Sequence, residues 1–229
     1  MLKSFIKHIL LHPKSAPILL ACILRLHNKL YDLSGLLATV SNNGIHPKHG
    51  ILRYKEWFCD RVQPTDIVLD VGSNTGLLPM VIAEKCTFVY GIEMDPVLSK
   101  KARERCDKRN IEFLTGDATT HDFTSCRPFT CVILSNVLEH IENRVDFLRR
   151  LINGVAWGDK SKRFLIRVPT IERDWISVYK KEVGVDYRLD RTHVIEHTRE
   201  QLVEELARAG LRIESLEIRF GEFYLVCYA

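Results

Sequence analysis

The chain has 229 residues, enough for one domain with a sizeable core and an appendage, and too few for two full domains. Hydrophobic residues make up 46% and charged residues 27%, which excludes a largely disordered chain. The net charge of +4, from 33 basic and 29 acidic residues, is too slight for a dedicated nucleic-acid binder, so no nucleic-acid partner is expected.

The first segment, MLKSFIKHILLH, places Leu2, Phe5, Ile6, Ile9 and Leu10 at helical spacing. It predicts an amphipathic helix that Pro13 ends by removing a backbone donor. Ser15 as cap and Pro17 in the first turn start a second helix, whose apolar face runs through Leu20, Ile23, Leu24, Leu30, Leu33 and Leu37. Lys3, Lys7, Lys14, Arg25 and Lys29 accompany these faces. A basic amphipathic surface of this kind has three uses. It can make peripheral contact with a membrane through residues 1–40, pack on a second subunit as a homodimer, or pack on the domain itself. Its uncharged run from Ser15 to Leu24 falls well short of the ~20 apolar residues of a membrane span. Pro13 and Lys14 also interrupt any signal-peptide core. The expected location is cytoplasmic, or peripheral at the membrane surface. A turn-rich stretch, SNNGIHPKHG, then separates a helical extension (1–44) from the remaining domain (45–229).

ILRYKEWFCDRV predicts one further amphipathic helix. Strands and helices alternate after it. DIVLDVG, TFVYGIEM, IEFLTGD, FTCVILSN and KRFLIRVP predict strands. GLLPMVIAEKC, DPVLSKKARERCDKRN, NRVDFLRRLINGVA and TREQLVEELARAG predict helices, with Asp95 and Thr198 as caps, Pro96 at a first position and Gly210 as a stop. LRIESLEIRF and EFYLVCYA form a closing hairpin, because no helix separates them. The fold class is α/β: a Rossmann-like, doubly wound, mostly parallel seven-stranded sheet with an antiparallel C-terminal hairpin.

The informative segment is VLDVGSNTG, from Val68 to Gly76, which leaves the first strand and opens a helix. Gly72 and Gly76 suit the positive φ and close ligand approach needed there. Glu93 ends the second strand, where a carboxylate can accept both hydroxyls of a ribose. The dinucleotide pattern G-x-G-x-x-G is broken at Asn74 and Leu77, and no phosphate-binding lysine motif occurs. A nucleoside with a cationic, phosphate-free tail fits better, with Asp70 attracting the ammonium.

VLDVGSNTG, GIEMD, LTGDAT and LSNVLEHIEN together resemble the successive motifs of class I S-adenosylmethionine-dependent methyltransferases, and the last is similar to the VLEH turn of the small-molecule and quinone-methylating branch. The resemblance implies S-adenosylmethionine as cofactor. Gly72, Ser73 and Gly76 would wrap its methionine part. Glu93 would bind the ribose diol, and Met94 would pack on the adenine. Asp117 and Ala118 would meet the adenine amino group, while Ser135 and Asn136 would line the methionine side. Asn74 replaces the family's middle glycine, and Asn tolerates left-handed φ better than most residues. Tyr54 falls in a region that often lids the cofactor in this family.

Glu139 and His140 follow the fourth strand, either as a packing pair at a strand–helix junction or with His140 as a base. The stretch from Asp174 to Thr198, rich in Tyr, His, Asp and Arg, reads as a substrate-facing loop. Its candidates are Tyr179, Tyr187 and His193, the last also as a base; a surface excursion is the bland alternative. Methyl transfer does not require a base, since positioning against an activated sulfonium supplies most of the acceleration. The seven cysteines are scattered without a CxxC pair, which predicts free thiols and no metal.

The expected activity is therefore methylation of an oxygen, with a nitrogen as the alternative, on a small-molecule, glycan or lipid-linked acceptor. Two rivals are a nucleotide-dependent oxidoreductase on a similar sheet and a non-catalytic relative that serves binding or assembly.

Overall fold

The computed structural model describes residues 12–158 and 162–229. The first predicted helix lies almost wholly outside them. The chain forms two compact units. One joins the described residues up to Leu52 to Asp174–Leu189; the other contains Arg53–Arg173 and Asp190–Ala229.

The first unit is built on a long helix, Ala16–Ser41, with Pro17 in its first turn. Ser15 does not cap it; its hydroxyl donates back to the His12 carbonyl at 3.2 Å. Ile23, Leu26, Leu30, Leu33 and Leu37 along this helix are exposed. No helix among the described residues is long and apolar enough to cross a membrane. The segment read as a loop after residue 173 contains a helix, Trp175–Glu182. Asp174 caps it by accepting from the Ser177 N–H at 2.6 Å. Two hydrogen bonds tie this segment to the long helix: Asn28 Nδ2 donates to the Asp186 carbonyl at 2.7 Å, and Lys180 Nζ donates to Asn28 Oδ1 at 2.6 Å.

The single helix predicted over ILRYKEWFCDRV is divided. Lys48–Leu52 and Tyr54–Cys59 are separate helices, because Arg53 adopts φ 48°. A left-handed residue cannot continue the right-handed ladder.

The second unit is a seven-stranded sheet of order β3-β2-β1-β4-β5-β7-β6. Its strands are β1 (Ile67–Val71), β2 (Phe88–Glu93), β3 (Ile111–Thr115), β4 (Cys131–Ser135), β5 (Arg163–Pro169), β6 (Arg212–Arg219) and β7 (Glu222–Tyr228). β1 to β5 pair in parallel, while β7 runs antiparallel between β5 and β6. Parallel strands covered on both faces need near-continuous apolar runs. β4 and β5 meet that need: Cys131, Val132, Ile133, Leu134, Phe164, Leu165 and Ile166 are all inaccessible to solvent. Two buried arginines of β5 are ion-paired. Arg163 bonds Asp66, and Arg167 makes a two-pronged contact with Glu222 at 2.6 and 2.8 Å.

Helix boundaries follow the local chemistry. Asp95 accepts from the N–H groups of Val97 and Leu98 to start Pro96–Arg105. Thr198 and Gln201 form a reciprocal capping box for Arg199–Ala209, which Gly210 closes at φ 93°. The strand order reverses direction between β1 and β4. That switch point is where an open α/β sheet leaves a crevice beyond its carboxyl ends.

Candidate functional site

A cavity of about 710 Å³ opens at this place. Its walls come from the chain just beyond β1, β2, β3 and β4, with Asp146, Phe147 and Arg150 contributed by the helix Arg144–Gly154. The β1 turn is held against β2, since the N–H groups of Gly72 and Ser73 both donate to the Ile92 carbonyl, at 2.9 and 3.0 Å. Gly72 has φ 71° and a Cβ there would come within 3.0 Å of Val137. Gly76 has φ 80°, and its Cβ would sit 2.7 Å from the Phe113 ring. Between them Asn74 adopts φ 50° and keeps the loop path without a third glycine.

Glu93 closes the other side of this turn. Its carboxylate accepts from the Asn74 N–H at 2.8 Å and the Asp95 N–H at 2.9 Å. Two backbone donors thus fix an acidic group in the cavity wall. Asp117 is fixed similarly, accepting from the Thr119 N–H and hydroxyl at 2.8 Å each. Arg150 braces the same loop by donating to the Thr119 carbonyl at 2.6 Å.

The cavity brings together Gly72, Asn74, Glu93, Met94, Asp117, Ala118, Asn136 and His140 from the sequence-derived set. Asp70, Ser73, Gly76, Ser135, Tyr54 and His193 are not among its lining residues. Ser135 lies within reach of Arg167, whose Nη1 donates to its hydroxyl at 3.3 Å. Tyr54 is buried with its ring 4.4 Å from the Arg167 guanidinium; burial is the main reason its hydroxyl titrates above the ordinary range. Tyr179 and Tyr187 belong to the first unit, where Lys181 Nζ stands 5.5 Å from the Tyr187 ring.

Polarity at the turn suits a cationic, hydrogen-bonding ligand. Asn136 Oδ1 and Ser73 Oγ are buried and have no hydrogen-bond partner. Such atoms are costly unless a ligand or water engages them. Asp70, two residues before Gly72, is buried, and burial, followed by the neighbouring Glu93 charge, raises its carboxyl well above the ordinary range. A ligand ammonium would relieve that penalty.

A second polar cluster adjoins the cavity. His140 lines it, and the His193 ring packs edge-on against His140 with centroids 4.8 Å apart. Burial, then the neighbouring His193, lowers the His140 imidazole below its usual range. Glu139 is completely buried, and burial pushes its carboxyl up to about 8. Sequence reading placed Glu139 beside His140 without a ligand role, and it did not single out Glu196 or Arg150. Helical spacing of Asp146 and Arg150 was the available signal for the latter wall.

Residues 69–154, which span this turn and cavity, match a family model described as a methyltransferase domain. That stretch of the chain is similar to a methyltransferase domain. Solved structures share the fold of this domain. A magnesium protoporphyrin IX methyltransferase from Synechocystis with bound S-adenosylhomocysteine is 19% identical, with TM-score 0.58 over 77% of this chain and 80% of that one. A methyltransferase from Mesorhizobium loti is 15% identical, with TM-score 0.58 over 76% and 98% of the two chains. Among curated proteins, an uncharacterized protein of Methanocaldococcus jannaschii is 33% identical over 94 residues, 40% of this chain and 36% of that protein. A dimethyladenosine transferase of Yarrowia lipolytica is 31% identical over 96 residues, 40% and 28% of the two. The chain therefore spans about a third of the length of the curated relatives it matches.

The cofactor of the methyltransferase domain is S-adenosylmethionine, and the residues present fit it: acidic groups at two strand ends, glycine-permitted backbone approach, and unpartnered polar atoms at the turn.

Proposed function

We propose that this chain transfers the methyl group of S-adenosylmethionine to an oxygen of a small-molecule, glycan or lipid-linked acceptor. The observation that carries the reading is the Glu93 carboxylate, held in the cavity wall by the N–H groups of Asn74 and Asp95. Bound there, the cofactor supplies an electrophilic methyl group on a sulfonium. Glu93 holds the ribose hydroxyls, and Asp117 with Ala118 meets the adenine edge. Asn136, Gly72 and the buried Asp70 carboxyl receive the amino-acid tail. His140, in the cavity wall, is read as the histidine that meets the acceptor.

Charge supports a small or neutral acceptor over RNA. Glu142 and Asp146 stand in the cavity wall with Glu93 and Asp117, and the Arg150 guanidinium is engaged by backbone carbonyls. A phosphate backbone would meet like charge at this mouth. The dimethyladenosine transferase likeness covers less than half of this chain and less than a third of that protein, so it does not assign the acceptor.

Calorimetry with S-adenosylhomocysteine and with NADH tests the cofactor reading. Wild-type protein is expected to bind the former and not the latter. Glu93→Ala should weaken binding about tenfold or more, the scale of ~1.5–3 kcal/mol for a charged hydrogen-bonding group. Binding of NADH, or an unchanged affinity in the variant, would overturn it. Release of S-adenosylhomocysteine across sugars, phenols, lipid-linked glycans and RNA tests the acceptor; turnover confined to RNA would replace the acceptor proposed.

A further inference from the structure

Glu139 presents an unusual arrangement. Both of its carboxylate oxygens are buried and neither has a hydrogen-bond partner. Buried carboxylates without partners are rare, because the desolvation penalty is then uncompensated. His140 and His193 adjoin it, and the three side chains can each place a ligand atom within 4.8 Å of the others.

The two imidazoles are oriented by partners on their far sides. The Thr192 hydroxyl donates its proton to Asp190 Oδ1 at 2.8 Å, so toward His140 Nδ1, at 3.1 Å, it acts as an acceptor. His140 therefore carries its proton on Nδ1, which leaves a lone pair on Nε2. His193 Nδ1 lies 3.1 Å from Glu196 Oε1, and Glu196 is also paired with Arg173. An ion-paired carboxylate accepts only, so Nδ1 of His193 is likewise the protonated nitrogen. Carboxylate and hydroxyl groups behind the imidazoles are the outer partners typical of metal-ligating histidines.

We propose that Glu139, His140 and His193 bind one divalent transition-metal ion at the edge of the cofactor cavity. Two imidazoles and one carboxylate favour Mn²⁺, Fe²⁺, Co²⁺ or Zn²⁺ over Ca²⁺. Bonds of about 2.0–2.2 Å to each ligand need donor atoms some 3–4 Å apart, which small side-chain rotations supply. Three protein ligands leave coordination positions open to oxygen. Sequence spacing could not announce this site, because its ligands come from distant segments.

Co²⁺ titration of chelator-treated full-length protein, followed by visible absorption and calorimetry, tests the proposal. One Co²⁺ per chain is expected, with nitrogen–oxygen ligand-field bands. Glu139→Gln and His193→Ala should each weaken binding at least about tenfold. His140→Ala, at an exposed side chain, should do the same and serves if a buried variant fails to fold, as judged by its thermal melt. Absence of saturable Co²⁺ binding, equal affinity in the variants, or sulfur charge-transfer bands placing the ion on cysteines would overturn the site. The proposal does not depend on methyl transfer. Metal-free wild-type protein that binds S-adenosylhomocysteine but not Co²⁺ would sink the metal site alone; the reverse pattern would sink the cofactor reading alone.

Discussion

Asn74 shows how one residue can replace a glycine without changing the path of a loop. Its φ of 50° lies in the left-handed region, where Asn is tolerated and β-branched residues are not. The turn needs the conformation because the Asn74 N–H must reach Glu93. Asn74→Gly is expected to bind S-adenosylhomocysteine within about threefold of wild type, since glycine adopts the same backbone freely. Asn74→Val should lose about tenfold, from a left-handed cost of roughly 1–2 kcal/mol. Equal calorimetric affinities for the two variants would show that the loop path does not govern binding. This part of the site was legible beforehand because positive φ restricts residue type so strongly. The identities of Gly72, Asn74 and Gly76 alone mark where the backbone must turn. The roles of Glu139 and Glu196 were not legible, since each depends on neighbours brought together by tertiary packing.

Elements were readable to the extent that their signals are local. The five parallel strands are short, mostly apolar runs, and the helix Arg199–Ala209 announces both ends through Thr198 and Gly210. The helix Trp175–Glu182 escaped notice because it is short and lies within a charged stretch. The break at Arg53 escaped because nothing about arginine signals a left-handed residue. Packing between elements has its own measurable signature. Glu205 clamps the helix Arg199–Ala209 to Arg144, at 2.7 and 2.6 Å, and lies 3.0 Å from His197 Nε2. Burial alone would raise its carboxyl, but hydrogen bonds from Arg144 and His197 outweigh that and hold it at about 2. A carboxyl depressed on folding stabilises above its unfolded value, near 4.5, and loses that contribution as pH falls toward 2. Urea melts should therefore show wild type above Glu205→Gln at pH 7, by about 1.5–3 kcal/mol for charge-assisted bonds. The gap should shrink steadily below about pH 4.5, and a constant gap would refute the clamp.

At the scale of the molecule, the thiols report which parts are sealed. All seven cysteines are free. Cys131 and Cys227 are inaccessible within the sheet, and burial pushes both thiols up to about 12, whereas Cys22 is exposed. The thiolate is the reacting species, so iodoacetamide at neutral pH should label Cys22 first and leave Cys131 and Cys227 untouched until the chain unfolds. Peptide mass spectrometry reads the order; early labelling of Cys131 would mean that the sheet opens in the native state.

The first unit is one module written in two places along the chain. Its long helix comes before the sheet, while Asp174–Leu189 is inserted after β5, and Asn28 joins the two through Lys180 and Asp186. Trimming the amino terminus to isolate the sheet domain would therefore leave half a module attached, stripped of those bonds. The smallest self-consistent version of the sheet domain needs two excisions, one at the start and one in the middle.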